Sequence, residues 1–155
     1  MKKEEIIEIN GVEYTATLSR ESYVRIDRVA KIADAFRLMN ERVKMYDYID
    51  KVDDDYNPYA DEIDLDSLED KYEEKLEAKE QKIKNFYTRG LHVLLYPKHE
   101  FKISQIEEIL NPIYEDSNKL IEFSERFGQL LGGCIQMKFE YEEERKNLKA
   151  QANKK

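Results

Sequence analysis

The chain has 155 residues, 41% of them apolar and 39% charged, with a net charge of -8 at pH 7. That size predicts one domain with a moderate core, and the mixture suits amphipathic helices with one buried stripe and a solvated back. The acidic balance argues against ordinary binding to nucleic-acid phosphates, no apolar run approaches bilayer length, and the single Cys134 excludes both an internal disulfide and a thiolate zinc cluster.

The opening segment Ile6-Ile7-Glu8-Ile9, Asn10-Gly11, Val12-Glu13-Tyr14-Thr15-Ala16-Thr17-Leu18 predicts two strands joined by a tight turn. Asn-Gly tolerates the positive φ angles of a type I′ turn, which makes it a strong hairpin signal. Two strands alone are marginal in water, so the hairpin must pack on the helices behind it. Met1-Lys2-Lys3-Glu4-Glu5 has no apolar signal-peptide core, and the expected setting is cytosolic.

Ser19 is placed to cap a helix, with Glu21 favourable in its first turn. Tyr23, Ile26, Ala30, Ala33, Phe36 or Met39, Val43 and Tyr46 recur at three- and four-residue steps, predicting one helix from about Arg20 to Ile49. An acidic loop over 51–64, containing Pro58, breaks the period. A second long helix then starts at Asp64 or Asp66. It carries Leu65, Leu68, Tyr72, Leu76, Ile83, Phe86 or Tyr87, Gly90, Leu91 and Leu94 on one stripe, and Pro97 is expected to end it. Ser104-Gln105-Ile106-Glu107 fits a capping box for a short helix to Leu110, which Asn111-Pro112 should stop, with Pro112 able to start another turn. Leu120, Phe123, Phe127, Leu130 and Leu131 mark a fifth helix up to Gly132-Gly133.

Over 134–141 two patterns compete. Ile135, Met137, Phe139 and Tyr141 alternate as in a strand, whereas Leu131, Ile135 and Phe139 fit a helix. The helix is preferred, with a fray or kink at the glycines. The expected architecture is mainly α: an N-terminal β-hairpin (1–18) packed on four to five amphipathic helices in one domain over 1–140. Residues 141–155 should form a charged helix end and a disordered tail.

Charge is unevenly placed. Thirteen acidic residues between Asp53 and Glu80 face only Lys71, Lys75 and Lys79, a local balance of -10 that leaves about +2 elsewhere. This segment is either a solvated face or a surface for a basic partner.

No constellation carries catalysis or a cofactor. Asp53, Asp55, Asn57, Tyr59, Asp61 and Asp64 have the spacing of a calcium loop. Pro58, however, stands where glycine is needed, and Asp64 is shorter than the bidentate glutamate expected last. An acidic linker is the better reading. His92 and His99 lack carboxylates at ligand spacing, and Cys134 has no histidine nearby in sequence, so structural roles are expected for all three. Among the eleven tyrosines, Tyr46, Tyr48, Tyr56 and Tyr59 cluster around the acidic loop. Tyrosine suits contact surfaces, and it also suits the flank of an amphipathic helix.

Two pieces of the chain carry a resemblance. One is Ile9-Asn10-Gly11-Val12-Glu13-Tyr14 leading into a capped amphipathic helix. The other is Leu91-His92-Val93-Leu94-Leu95-Tyr96 followed by Phe101-Lys102-Ile103-Ser104-Gln105-Ile106-Glu107-Glu108-Ile109-Leu110. Together they resemble the tail assembly chaperones of long-tailed phages and prophages of Gram-positive bacteria. The resemblance implies a small helical protein without enzymatic activity, in the cytoplasm of the bacterial host and absent from the mature virion. Its implied partners are the tape measure protein, which it keeps soluble, and the tail tube protein, with a homo-oligomer also allowed. A helical client needs its apolar stripe covered, and Phe123, Phe127, Leu130, Leu131, Ile135 and Phe139 are the candidate covering residues, the alternative being that they are simply core. The competing reading is an acidic phage-encoded inhibitor that presents carboxylates where a host protein expects phosphates.

Overall fold

The computed structural model describes residues 1–45 and 49–153. Strands β1 (Lys2–Ile9) and β2 (Val12–Ser19) pair antiparallel, with Ile9 opposite Val12 and Lys2 opposite Ser19. Asn10 at φ 52° and Gly11 at φ 81° make the tight turn that the dipeptide predicts. In this register Ile7, Ile9, Ala16 and Leu18 share one face and are buried, with Tyr14 half-buried beside them.

Both free edges of the hairpin are plugged by side chains. On β2, the Thr15 N–H donates to His99 Nε2 at 3.0 Å and the Ser22 hydroxyl donates to the Thr17 carbonyl at 2.9 Å. On β1, Arg126 donates to the Ile6 carbonyl from Nε at 3.2 Å and from Nη2 at 2.7 Å, and pairs with Glu5 at 3.0 Å. Lys3, and after it Arg126, hold the Glu5 carboxyl below the usual carboxylate range. Filling edge groups in this way removes a template for pairing with another chain.

Ser19 ends β2 and caps helix α1 (Arg20–Ala30), accepting from the Ser22 N–H at 3.0 Å. The expected single helix over 20–49 is not formed. Lys31 takes a left-handed φ of 46°, Asp27 Oδ1 accepts from the Ile32 N–H at 3.1 Å, and a separate helix α2 (Ile32–Asn40) succeeds it. The break shifts the phase of the stripe, so Ile32 and Ala35 are buried while Ala33 and Phe36 face water. Past Asn40 the described backbone is irregular until residue 64, and the expectation for Tyr46 lies outside the described residues.

Asp64 caps helix α3 (Leu65–His99), accepting from the Ser67 N–H at 3.2 Å. Pro97 lies inside its last turn instead of ending it, because a proline there removes one hydrogen bond without blocking the turn. The stop comes at Glu100, with φ 44°. Helix α4 (Ile103–Tyr114) begins earlier than the Ser104 capping box predicts. Its cap is Lys102, whose N–H donates to Gln105 Oε1 at 2.8 Å. Pro112 is again accommodated within the helix, where the backbone carbonyl it leaves unpaired belongs to the exposed Glu108.

Helix α5 (Ser117–Asn153) runs unbroken through Gly132-Gly133, which decides 134–141 in favour of helix. Residues 151–153 are helical too, against the expected disordered tail. The core lies where α3, α4 and α5 meet the hairpin. Phe86 and Tyr87 of α3 meet Phe123 and Phe127 of α5 in edge-on contacts with centroids 5.3 to 5.5 Å apart. The Phe127 ring of α5 seats over Gly90 of α3 because Gly90 has no side chain: a Cβ there would sit 2.5 Å from that ring. Around Gly132, by contrast, the space is open.

These environments set opposite outcomes for one substitution. Gly90→Ala should destabilise the fold by about 1–3 kcal/mol, since the buried Phe127 ring has little room to move. Gly132→Ala should stabilise it by about 0.5–1 kcal/mol through helix propensity alone. Urea unfolding of the two variants, followed by circular dichroism, checks both signs.

Candidate protein-binding surfaces

The six residues expected to cover a client are divided by the structure. Phe123, Phe127, Leu130 and Leu131 lie between 1% and 4% exposed, inside the core and out of reach of a partner in this folded state. Ile135 is half-buried and packs on the core, and Phe139 is the one of the six that is open to solvent. Beyond the glycines α5 continues along α1, held by cations over rings. The Arg20 guanidinium lies 3.8 Å from the Tyr141 ring centre, and Lys138 Nζ lies 4.8 Å from that of Tyr23 and 5.2 Å from that of Phe139. From Glu142 to Asn153 every residue of α5 is exposed.

A surface less obvious from sequence lies on the first half of α3. Its apolar stripe is continuous in sequence, yet only the part from Phe86 onward is fully buried. Leu65 is 64% exposed, and Leu68, Tyr72 and Leu76 are half-buried. Of the thirteen carboxylates between Asp53 and Glu80, seven lie on this half and six on the loop before it, and among the described residues none of them forms an ion pair. Apolar side chains on a carboxylate-rich background suit a basic amphipathic helix. The signal in the sequence was the charge step at Glu80, where the acidic run stops and the core half of the stripe begins.

The acidic loop before α3 is organised by its own turns. Asn57 Oδ1 accepts from the Tyr59 N–H at 3.0 Å, and the Asp64 carboxylate is used as the α3 cap. Among the described residues no group of three or more His, Cys, Asp or Glu is arranged to hold a metal ion. Tyr56 and Tyr59 are exposed, Tyr59 at 90%, while Tyr46 and Tyr48 lie outside the described residues.

A groove runs between α1 and the second half of α3, with a volume of about 730 Å³ beside Lys2, Arg25 and Tyr96. It continues past Arg28 and Val29 into a second depression of about 380 Å³ that Lys31, Lys82 and Arg89 line. Arg89 is tied to α1 by a bond from Nη1 to the Val29 carbonyl at 2.8 Å, and Arg25 pairs with Glu21 at 2.8 Å. Lys2, Arg28, Lys31 and Lys82 have no ion-pair partner among the described residues.

The histidines join elements. His92 Nε2 donates to the Phe101 carbonyl at 2.8 Å, and the His99 ring stacks on Phe101 with centroids 5.2 Å apart. The pair therefore fixes the α3–α4 connection against β2. Cys134 is fully buried, and burial pushes its thiol pKa up, which disfavours the reactive thiolate. Compared with protein-family models, curated proteins and solved structures, the chain matches none.

Two titrations test this burial. Cys134 should resist a thiol reagent such as dithionitrobenzoate in the native protein and react at once in denaturant. Burial raises the pKa of Tyr87 and pushes that of Tyr114 from 10.0 up to about 12. The fold thus favours the protonated phenol of Tyr114. The stability it contributes is complete below pH 10.0 and is lost as pH rises through about 12. Absorbance at alkaline pH should show the Tyr87 and Tyr114 phenols ionising above the usual tyrosine range, together with unfolding.

Proposed function

We propose that this chain is a tail assembly chaperone, a non-enzymatic protein that binds and solubilises a phage tape measure protein and helps recruit tail tube subunits. Support comes from the residues that resemble that family and from a surface suited to a helical client. The observation that carries the reading is the outer half of α3, where Leu65, Leu68, Tyr72 and Leu76 stand partly open among unpaired carboxylates. A long helical client exposes apolar side chains that aggregate when uncovered, and covering them needs an apolar strip with a charged rim. The covering residues are therefore assigned to α3, with Phe139 on α5 as the surviving member of the sequence-derived set. The working location is the cytoplasm of the bacterial host, and the protein leaves before the virion is complete.

The unpaired carboxylates of residues 53–80 also favour a second reading, a charge mimic that occupies the nucleic-acid site of a host protein. The two readings differ in what holds the complex. Apolar burial tolerates salt, whereas a phosphate mimic loses its target steeply with ionic strength.

Co-expression with a phage tape measure protein should keep that client soluble and allow the two to be recovered together. Leu68→Glu combined with Leu76→Glu should lower the recovery about ten-fold while the melting temperature stays within a few degrees, because both positions lie outside the core. Recovery that is unchanged in this variant, or abolished by moderate salt, would remove the chaperone reading.

A further inference from the structure

The groove between α1 and α3 sets six cations, Lys2, Arg25, Arg28, Lys31, Lys82 and Arg89, along one side of a protein whose net charge is -8. Two carboxylates answer them within the groove: Glu21, held by Arg25, and Asp34, which lies 3.8 Å from Arg37. Four of the cations are unpaired among the described residues, and the floor between them is apolar, formed by Val29, Val93 and Leu38 with Tyr96 at one end. Such a surface selects a segment that is acidic and also carries large apolar side chains.

The chain itself contains a segment of that chemistry. Residues 49–64 hold seven carboxylates against the single Lys51. Within them Val52, Tyr56, Tyr59 and Ile63 are exposed, Tyr59 at 90%. A tyrosine so far from cover, on a loop whose turns are set by Asn57, is a suitable anchor for an apolar floor. We propose that the 49–64 segment of one copy seats in the α1–α3 groove of a second copy, with Tyr59 over Val29 and Asp53 to Asp55 facing Arg28 and Lys82. The opposite arrangement, acidic segment against acidic segment, places like charges together and is disfavoured. The contact is therefore head-to-tail, with a different surface used on each side. It is independent of which client the protein serves.

Sedimentation velocity of the full chain tests this with two variants. Arg28→Glu with Lys82→Glu disables the groove and leaves the segment intact, while Asp54→Lys with Tyr59→Ser does the reverse. All four positions are exposed, so circular dichroism should report an unchanged fold. At low ionic strength the wild type should associate increasingly with concentration and revert to monomer in high salt, and each variant alone should stay monomeric. Mixed in equal amounts, the variants should form a complex that stops at two chains, because only one working pair of surfaces remains. A wild type that is monomeric at every concentration, an assembly that persists in either variant, or a mixture that fails to pair would each overturn the proposal.

Discussion

The ring cluster that α3 and α5 share is the contact around which the other elements pack. Four aromatic rings, Phe86, Tyr87, Phe123 and Phe127, meet there in packed pairs with centroids 5.3 to 5.9 Å apart, and Gly90 leaves room for the Phe127 ring. Aromatic rings bury large apolar areas and prefer the edge-on geometry found between these two helices. Once this seam is closed, α4 has a site for Ile106, Leu110 and Ile113, and the hairpin has a floor for Ile7, Ile9, Ala16 and Leu18. A second glycine repeats the device. A Cβ at Gly133 would lie 2.6 Å from Leu18, so α5 also presses against the sheet through a missing side chain.

A two-stranded sheet is a weak element with two exposed edges, and the fold meets both difficulties with the same few residues. His99, Ser22 and Arg126 each occupy an edge group of the hairpin while belonging to a different helix or its start or end. Each bond therefore also docks a helix. His92 and His99, which in a sequence invite thoughts of metals or proton transfer, are used in this structure as hydrogen-bond and stacking partners that hold the α3–α4 connection.

Charge divides the molecule into parts with different tasks. The outer half of α3 and the preceding loop are strongly acidic and keep their apolar residues partly open, while the α1–α3 groove gathers cations. Long-range attraction between such regions raises encounter rates and fixes orientation, and apolar contact then sets lifetime. The chaperone reading rests on the apolar stripe of α3 and the head-to-tail contact on the loop before it and the groove, so one does not require the other.

Local chemistry was readable from residues alone wherever one or two side chains decide the backbone. Asn10-Gly11 dictates its turn, Ser19 and Asp64 cap the helices they precede, and apolar spacing marks a mainly α chain behind a hairpin. The reading failed where two local answers cost nearly the same. Lys31 breaks a helix that periodicity would continue, Pro97 and Pro112 sit inside helices that proline would stop, and Gly132-Gly133 lies inside one continuous helix. Half a stripe and a whole stripe also look alike in one dimension. Phe123, Phe127, Leu130 and Leu131 went to the core, while Leu65 stayed open and Leu68, Tyr72 and Leu76 only half-buried, because the core forms on the second half of α3 and leaves the first half largely uncovered.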